Sequence, residues 1–364
     1  MIYKTEINEN IKQLFKKLNF STPVNSILEG NTPSTIYVDN LEEPSNAFIW
    51  NDFRYSYLAG NYKNKDFLND LEKHLKNELF PEAKKSSDPT MVLYPDTENM
   101  LESTDEIMNN KHPLKIERKF FKFNKEKFES IKIEENDGLI IKMLDKDILN
   151  NTGKNIAEDI KTSWKSLNLF LEEGVGFVLL NNDEIISSYH SCFAGEKTYE
   201  INVNTYNPEN RNKGYAKLIT SKFIEHCIEN NIEPTWECWK ENIPSKNLAK
   251  NLGFEKYRTH EVKFFLLNEI DEYIENAIYN RFSKKDFEKS VEFFEKAFEI
   301  MEELDPELLY LYAGSLALSG QKEKALEYLS KAIEKDYNNL ERIKNDEVFK
   351  NLHTHPNWKK IFNI

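Results

Sequence analysis

The chain has 364 residues and a mass of 43.0 kDa, more than one compact core usually reaches, so we expect two or three domains. Hydrophobic residues make up 39% and there are only 11 Gly and 12 Pro, which excludes disordered, collagen-like and low-complexity classes. The formal net charge of −13 disfavours nucleic acid and anionic membranes as partners, because phosphate binding requires a basic face.

The cysteines and the N-terminal residues bear on the cellular compartment. Cys192, Cys227 and Cys238 are odd in number, widely spaced and without a CxxC pair, so neither a disulfide framework nor a structural zinc site is predicted. The first residues are charged and lack an apolar segment followed by a cleavage site, and no run of about 18 apolar residues occurs. We therefore expect a cytoplasmic, non-secreted protein that needs no metal.

The first stretch, 1–125, is predicted to be an α+β domain. Runs of β-branched and aromatic residues, separated by turn-forming residues, predict three strands of a meander and then a fourth strand. These runs are 34–39, 47–50, 53–58 and 91–94. Apolar residues from Phe67 to Leu79 recur every three or four positions and predict a helix.

The middle stretch, 126–268, is predicted to alternate strands and helices. Its predicted strands are 138–144, 175–180, 184–190, 199–203, 235–239, a strand around Phe254 and 262–267. Its predicted helices, which carry periodic apolar residues, are 157–172, 214–230 and 245–252. This alternation indicates a mixed α/β fold.

The last stretch, 269–364, is predicted to be entirely helical and holds 14 Lys and Arg against 20 Asp and Glu. It contains two similar segments, 294–299 and 329–334, in which Ala297 and Ala332 lie 35 residues apart. This spacing resembles that of tetratricopeptide repeats, whose period is about 34 residues. Only two units fit, whereas about three are needed to bury a continuous core, so we expect these helices to pack against another surface.

The loop before the helix 214–230 carries the clearest chemical signal, with the pattern Arg211-x-x-Gly214-x-Ala216. The first amides of a helix lack internal partners, and the helix dipole favours negative charge there. Gly214 lets a ligand approach the backbone, while Arg211 and Lys213 add positive charge. The loop therefore suits a pyrophosphate, although neither a Walker loop nor a dinucleotide-binding fingerprint is present.

This pattern resembles the acetyl-CoA loop of the GNAT N-acetyltransferase superfamily. Its context agrees, because three predicted strands precede the loop and a helix and a strand follow it. The residues Asn242-x-x-Ser245 and Leu248-Ala-Lys-Asn-Leu-Gly-Phe254 then resemble a recurrent ending of the superfamily. The resemblance implies acetyl-CoA as cosubstrate and transfer of its acetyl group to an amine.

A longer set of residues resembles a bacterial GNAT family that includes the zwittermicin A resistance acetyltransferase, over roughly 20–268. The set comprises Ile36-Tyr-Val-Asp39, Pro44, Leu58-Ala-Gly60, Trp164, Gly174-Val-Gly-Phe177, Ile185-Ile-Ser187 and Pro234-Thr-Trp-Glu-Cys238. The resemblance implies a tandem core. A degenerate GNAT-like domain without a cofactor loop occupies 1–125, an acetyl-CoA-binding GNAT domain occupies 126–268, and the all-α, TPR-like module at 269–364 follows.

The superfamily resemblance also implies which residues hold the cofactor. The end of the strand before the loop pairs through its backbone with the pantetheine arm, and the loop and the start of the last helix contact the rest. The expected cofactor-binding residues are Val203, Asn204, Thr205, Arg211, Asn212, Lys213, Gly214, Tyr215, Ala216, Asn242 and Ser245.

The groups that transfer protons are less well defined. Many superfamily members carry a tyrosine acid four residues before the Gly-Phe pair, but Ala249 stands there in this chain. Ser245 and Asn242 are the remaining polar candidates near the thiol, unless Ser245 only caps the helix 245–252. Glu200 and Glu237 lie on strands flanking the expected cleft, and each is either a base for the amine or an ordinary strand carboxylate. The candidate catalytic residues are thus Glu200, Glu237 and Ser245.

Two functions remain open from the sequence. The first is an acetyl-CoA-dependent N-acetyltransferase acting on an amine of a small molecule or peptide, with neither nucleic acid nor membrane as partner. The second is a non-catalytic CoA- or ligand-binding protein whose helices at 269–364 recruit a protein partner. Ala249 favours the second function, and the intact loop at 211–216 opposes it. An acidic closed cavity would favour a small polyamine-like acceptor, whereas an open groove would favour a peptide.

Overall fold

The computed structural model describes residues 1–52, 54–86, 88–107, 111–133, 138–195 and 197–362. The chain divides into two compact units. The first contains Met1–Asn109 and Lys115–Phe264, and the second contains Asn110–Leu114 and Phe265–Ile364. Most of the stretches 1–125 and 126–268 thus lies in the first unit, and the stretch predicted to be helical lies in the second unit together with 110–114 and 265–268.

Within the described residues, twelve strands join in one sheet. In chain order they are β1 (Tyr3–Thr5), β2 (Thr35–Val38), β3 (Asn46–Trp50), β4 (Tyr55–Gly60), β5 (Thr90–Pro95), β6 (Leu114–Phe123), β7 (Leu139–Met143), β8 (Gly176–Asn181), β9 (Glu184–Gly195), β10 (Thr198–Thr205), β11 (Glu233–Trp239) and β12 (Phe254–Leu266). The predicted meander is present as the antiparallel strands β2, β3 and β4. Phe53, the first residue of the third predicted strand, lies outside the described residues.

The strand order is symmetric about its centre. From edge to edge it is β1-β2-β3-β4-β5-β12-β6-β11-β10-β9-β8-β7. Each half of the chain contributes five strands to its own side and its last strand to the other side. Thus β12 lies beside β5, and β6 pairs antiparallel with β11. Because this exchange places β12 and β6 at the centre, neither half can complete the sheet alone.

Helices cover the sheet. In the first unit they are α1 (Glu9–Leu14), α2 (Thr22–Leu28), α3 (Lys65–His74), α4 (Phe80–Ala83), α5 (Glu98–Ile107), α6 (Lys125–Glu129), α7 (Lys146–Asn150), α8 (Lys154–Lys161), α9 (Leu167–Glu173), α10 (Tyr215–Glu229) and α11 (Ile243–Asn251). Alternate residues of β11 point to opposite faces. Trp236 and Cys238 enter the core under α10, while Thr235 faces α2 and shares a hydrogen bond of 2.8 Å with the hydroxyl of Thr22.

The single helix expected over 157–172 is instead two helices, α8 and α9. Ser166 starts the second helix, because its hydroxyl accepts a hydrogen bond from the amide of Leu169 at 3.1 Å. Trp164, between the two helices, is buried and donates from its indole nitrogen to the carbonyl of Ser191 at 2.8 Å. This tertiary contact fixes Trp164 between the two helices, whereas the apolar periodicity alone predicted one continuous helix.

The last strand was also expected as two separate strands, around Phe254 and at 262–267, but it is the single strand β12. The residues between those two runs, 256–261, are mostly polar or charged and carry little apolar signal of their own. Their backbone nevertheless remains in the sheet, because β12 lies between β5 and β6. Position in the sheet, rather than local composition, therefore sets the length of this strand.

The second unit consists of the helices α12 (Glu269–Tyr279), α13 (Phe287–Ile300), α14 (Pro306–Leu318), α15 (Lys322–Glu334), α16 (Leu340–Asn345) and α17 (Pro356–Phe362). α12 packs against α13 and α14 against α15, and Ala297 and Ala332 are buried in the second helix of each hairpin. Glu272 binds the amide of His112 at 2.9 Å and the ammonium of Lys111 at 2.7 Å, which ties this short upstream segment to the helices. The tetratricopeptide assignment stays a prediction.

Candidate active site

The parting of β10 and β11 is the feature around which the site is built. These strands run parallel and are paired only where 198–200 meet 233–235. Beyond those three pairs, β10 continues along β9 to Thr205 and β11 continues along β6 to Trp239. The edges that face each other diverge after Glu200. Within the described residues, the backbone groups on these diverging edges have no strand partner, so they can bind a ligand.

The corresponding place in the first half is closed. There β4 and β5 are parallel and paired over four residues, ending with Leu58 beside Pro95. The amide of Asp96 then donates to the carbonyl of Leu58 at 2.8 Å, and the carboxylate of Asp96 accepts from the amide of Gly60 at 3.4 Å. The next helix, α3, is capped by the side chain of Asn64. The first half therefore offers neither an open edge nor a free helix terminus.

The loop between β10 and α10 ends in an uncapped helix terminus. Asn207, Asn212 and Gly214 adopt left-handed backbone conformations, with φ of 58°, 61° and 82°. Gly214 is the N-cap of α10 and has no side chain to bind the first amides of the helix. A Cβ at Gly214 would meet no atom within 4 Å, so the space beside the cap is open. The N-terminus of α10 thus presents donors and a positive dipole end to that space.

The residues expected to hold the cofactor gather around this opening. Val203, Asn204 and Thr205 form the end of β10, and the loop at 211–216 follows, with its first four residues exposed and its last two half-buried. Within the described part of the chain, neither cation of this loop has a carboxylate within ion-pair distance. Their charges remain available to an anion, and the expected role of each residue stays a prediction.

The helix α11 places Asn242 and Ser245 beside β11. It begins at Ile243 rather than at the predicted Ser245, because Asn242 is its cap and accepts from the amide of Ser245 at 3.1 Å. The interpretation of Ser245 as the cap is therefore wrong. Its hydroxyl oxygen accepts from the indole of Trp236 at 3.0 Å, and its hydroxyl also hydrogen-bonds the Cys238 sulfur, which partly offsets the rise in the pKa of that thiol caused by burial. Ala249 is fully buried, and its methyl group offers no acid.

A cavity of about 220 Å³ lies where β10 and β11 are still paired. Three of its lining residues are glutamates and one is a lysine, so the lining is acidic. The lining residues are Asn19, Phe20, Thr22, Asn25, Phe120, Phe121, Lys122, Thr198, Glu200, Glu233, Thr235, Trp236, Glu237 and Tyr257. Four of them belong to the segment 19–25 at the start of α2, so the first half of the chain supplies one wall of the cavity.

Glu200 is a buried carboxyl in this cavity. The residue is 7% exposed, and no donor among the described residues lies within hydrogen-bond distance of its side chain. Burial raises the pKa of Glu200 well above its ordinary value, the negative charge of Glu237 raises it further, and Arg118 opposes the shift. A carboxyl of this kind retains a proton to unusually high pH and can exchange it with a bound ligand.

Glu237 lines the same cavity but has a different environment. The buried guanidinium of Arg118 contacts its Oε1, and the hydroxyl of Tyr94 donates to the same oxygen at 3.1 Å. Arg118 also lies over the ring of Trp239, 4.2 Å from its centre. The other oxygen of Glu237, Oε2, is buried without a partner in the described residues. A cation therefore holds Glu237, whereas the side chain of Glu200 has no such ion-pair partner among the described residues.

The structure brings Glu200 and Glu237 together but separates them from Ser245. Ser245 contacts Trp236, which points to the face of β11 opposite to that of Glu237. Sequence reasoning missed both partners of Glu237. The strand that carries Arg118, β6, was not predicted, because the alternation of apolar and charged residues at 114–117 is interrupted by Arg118 and Lys119. Tyr94 was placed on a strand, but it lies 143 residues from Glu237 in the sequence, so no local pattern indicates their contact.

Comparisons with known proteins agree with this fold. The model of the family described as GNAT acetyltransferase matches residues 12–263, and the chain belongs to that family. It is 26% identical over 256 residues to the uncharacterized N-acetyltransferase YdfB of Bacillus subtilis strain 168, covering 70% of this chain and 94% of that protein. The superfamily resemblance is thereby confirmed, whereas membership of the narrower zwittermicin A resistance family stays a prediction.

A solved structure shares the fold. The crystal structure of a GCN5-related N-acetyltransferase-like protein from Streptococcus suis 89/1591 matches with a TM-score of 0.55 and 20% identity. The match covers 71% of this chain and 100% of that one. The predicted GNAT-like α/β core is thus confirmed. None of the helices in the described ranges is both long enough and apolar enough to cross a membrane.

The ion pair at Glu237 yields a test of stability. Glu237→Gln should lower the free energy of unfolding by about 3 kcal/mol, because it leaves Arg118 buried without a counter-charge. Urea unfolding would measure the change. Glu233→Gln on the same strand is the matched control, since Glu233 is exposed, and it should change stability by less than about 0.5 kcal/mol. Equal losses in the two variants would contradict the assigned role of the ion pair.

Proposed function

We propose that this chain is an acetyl-CoA-dependent N-acetyltransferase that acetylates an amine of a small molecule. The observation that carries the proposal is the open edge between β10 and β11 beside an uncapped helix terminus. The first half of the same chain has equivalent strands but has closed this edge with Asp96 and capped its helix with Asn64. The second half keeps both the strand edge and the helix terminus free, as an acyl-CoA ligand requires.

The residues around the opening fit a CoA thioester. The first amides of α10, with Arg211 and Lys213, would hold the pyrophosphate. The backbone of Val203, Asn204 and Thr205 would pair with the amides of the pantetheine arm, and Asn242 and Ser245 would lie near its sulfur end. The residues Asn212, Tyr215 and Ala216 complete the loop. Acetyl-CoA supplies the acetyl group as a thioester.

Glu200 is the base in this proposal. An amine that arrives as an ammonium ion gives one proton to the Glu200 carboxylate, which frees the nitrogen lone pair. The nitrogen then forms the amide bond to the acetyl carbon as the carbon–sulfur bond breaks, and Glu200 later releases its proton to solvent. Glu237, held by Arg118 and Tyr94, keeps a negative charge nearby that increases the proton affinity of Glu200.

Ser245 is the proposed proton donor to the departing thiolate. The indole of Trp236 occupies a lone pair of its hydroxyl oxygen, and the hydroxyl proton would turn from the Cys238 sulfur to the sulfur of the thiolate. The second proton of the amine nitrogen is lost as the amide forms, and it restores the serine through solvent. Ala249 has no part in this transfer because its side chain lies in the core.

The alternative, a non-catalytic binding protein, is favoured by one observation, the alanine at position 249 in place of a tyrosine acid. The unpartnered carboxyl of Glu200 in an acidic cavity opposes it, since burying such a group without a function is costly. In either case, we propose that the TPR-like helices at 269–364 bind a protein partner. We also propose a cytoplasmic location, which suits the three free cysteines.

Cofactor binding is tested at Gly214. Gly214→Glu should weaken acetyl-CoA binding at least about tenfold, because it places a carboxylate beside the helix terminus that would hold phosphate. Gly320→Glu is a matched control, since Gly320 has φ +85° against +82° for Gly214 and both have open space around a new Cβ. Calorimetric titration with acetyl-CoA measures both variants. Equal affinities in the two variants would refute the assignment of this loop.

The proton transfer is tested by the pH dependence of kcat/KM. The rate should rise with pH as Glu200 loses its proton, over a range above the ordinary carboxyl pKa because that of Glu200 is raised. Glu200→Gln should lower the rate by about 10²- to 10⁴-fold and remove this rise. Glu237→Gln should move the rise to lower pH, because the negative charge is gone while Arg118 remains. Wild-type pH profiles in both variants would show that neither carboxyl takes the proton.

A further inference from the structure

The three glutamates of the cavity follow the strand register. Glu200 on β10 is paired with Thr235 on β11, and Glu233 and Glu237 stand two residues before and after Thr235. Because side chains alternate along a strand, Glu233 and Glu237 point to the same face as Thr235. Glu233, Thr235 and Glu237 thus form a row on one face of β11, and Glu200 lies beside the middle of this row. The Cα atoms of Glu200 and Glu233 are separated by two residues along the strand and by one strand spacing, which amounts to about 8 Å.

The row has a direction. Its Glu237 end lies where β10 and β11 part, and that is the side from which the acetyl group arrives in the proposed function. Its Glu233 end lies at the start of β11, where the side chain is exposed to solvent. An acceptor with its reacting nitrogen at Glu200 therefore extends along the strands toward Glu233.

The charges of the cavity favour a cation at both ends of such an acceptor. Arg118 is paired with Glu237, and Lys122 is the one cation among the lining residues that the structure describes. Arg258 is not a lining residue, but its guanidinium lies 4.1 Å from the centre of the ring of Phe20, which is one. Glu233 is not within ion-pair distance of a cation in the described residues, so its charge is available to a ligand.

Glu200 provides an observation independent of the acidic composition. As a residue Glu200 is more than nine-tenths buried, it lines the cavity, and its side chain has no hydrogen-bond partner among the described residues. The partnerless Oε2 of Glu237 adds a second buried acceptor beside it. Buried polar groups are nearly always paired, so these oxygens indicate a ligand that carries hydrogen-bond donors.

We propose that the acceptor is a small diamine, with its reacting amino group at Glu200 and a second ammonium group at Glu233. This inference rests on the proposed function for the identity of the reacting end, and it adds a subsite for the distal end. A Cα separation of about 8 Å allows the two carboxyls to contact two amino groups joined by a short aliphatic chain. The neutral hydroxyl and amide groups of Asn25, Thr198 and Thr235 line the path between them.

The test compares three amines of equal chain length in calorimetric titrations of the full chain without acetyl-CoA. The amines are 1,4-diaminobutane, butylamine and 4-aminobutanoate. Wild-type protein should bind the diamine about fivefold more tightly than butylamine, which is what one partly exposed ion pair contributes. Glu233→Gln should abolish this preference without changing the affinity for butylamine. Glu229→Gln, at an exposed position of α10 outside the cavity, should retain the preference.

Charge reversal makes the test sharper. Glu233→Lys should disfavour the diamine and favour 4-aminobutanoate over butylamine, because the distal carboxylate then meets a cation. Equal affinities for the three amines in wild-type protein, or a diamine preference that survives Glu233→Gln, would overturn the subsite.

Turnover separates this inference from the proposed function. Acetyl transfer to butylamine and to the diamine with equal kcat/KM would support the enzyme and overturn the subsite. A Glu233-dependent preference for the diamine in binding, with no acetyl transfer to any amine, would support the subsite and overturn the enzyme.

Discussion

The short parallel ladder between β10 and β11 is the constraint on which the rest of the site depends. A sheet normally pairs every buried backbone group, because an unpaired N–H or C=O loses its hydrogen bonds to water without replacement. Here β9 and β6 hold the two strands from outside, so the strands can part without fraying. The first half shows the default arrangement, in which Asp96 extends the ladder and closes the edge. The parting in the second half is thus a property of this half and not of the fold in general.

The exchange of β6 and β12 makes the two halves mutually dependent. Arg118 is carried by β6 and Tyr94 by β5, and both hold Glu237 on β11 of the second half. The segment 19–25 of the first half also forms one wall of the acidic cavity. The first half, whose own strand edge is closed, therefore still positions a carboxylate and shapes the cavity of the second half, and the two halves cannot be separated without breaking the site.

The sequence predicted those features that depend on local patterns. The meander of β2, β3 and β4, the loop before α10 and the small residue at Gly214 follow from periodicity and from the chemistry of a helix terminus. The partners of Glu237 could not be predicted, because they meet it only through the strand exchange. The break between α8 and α9 was missed for a similar reason, since Trp164 is fixed by a contact with Ser191 on a different element. The cap of α11 was misplaced by three residues, although Asn242 is itself a strong capping residue.

Amide hydrogen exchange with and without acetyl-CoA tests the central claim most directly. Two places in the chain compete, the open edge with the terminus of α10 and the closed edge with the terminus of α3. The account predicts that acetyl-CoA slows exchange at those amides of 201–205 that are not bonded to β9 and at the first amides of α10, 215–217, and leaves 61–67 unchanged. Protection at 61–67, or no protection at 201–205 and 215–217 at saturating acetyl-CoA, would contradict it.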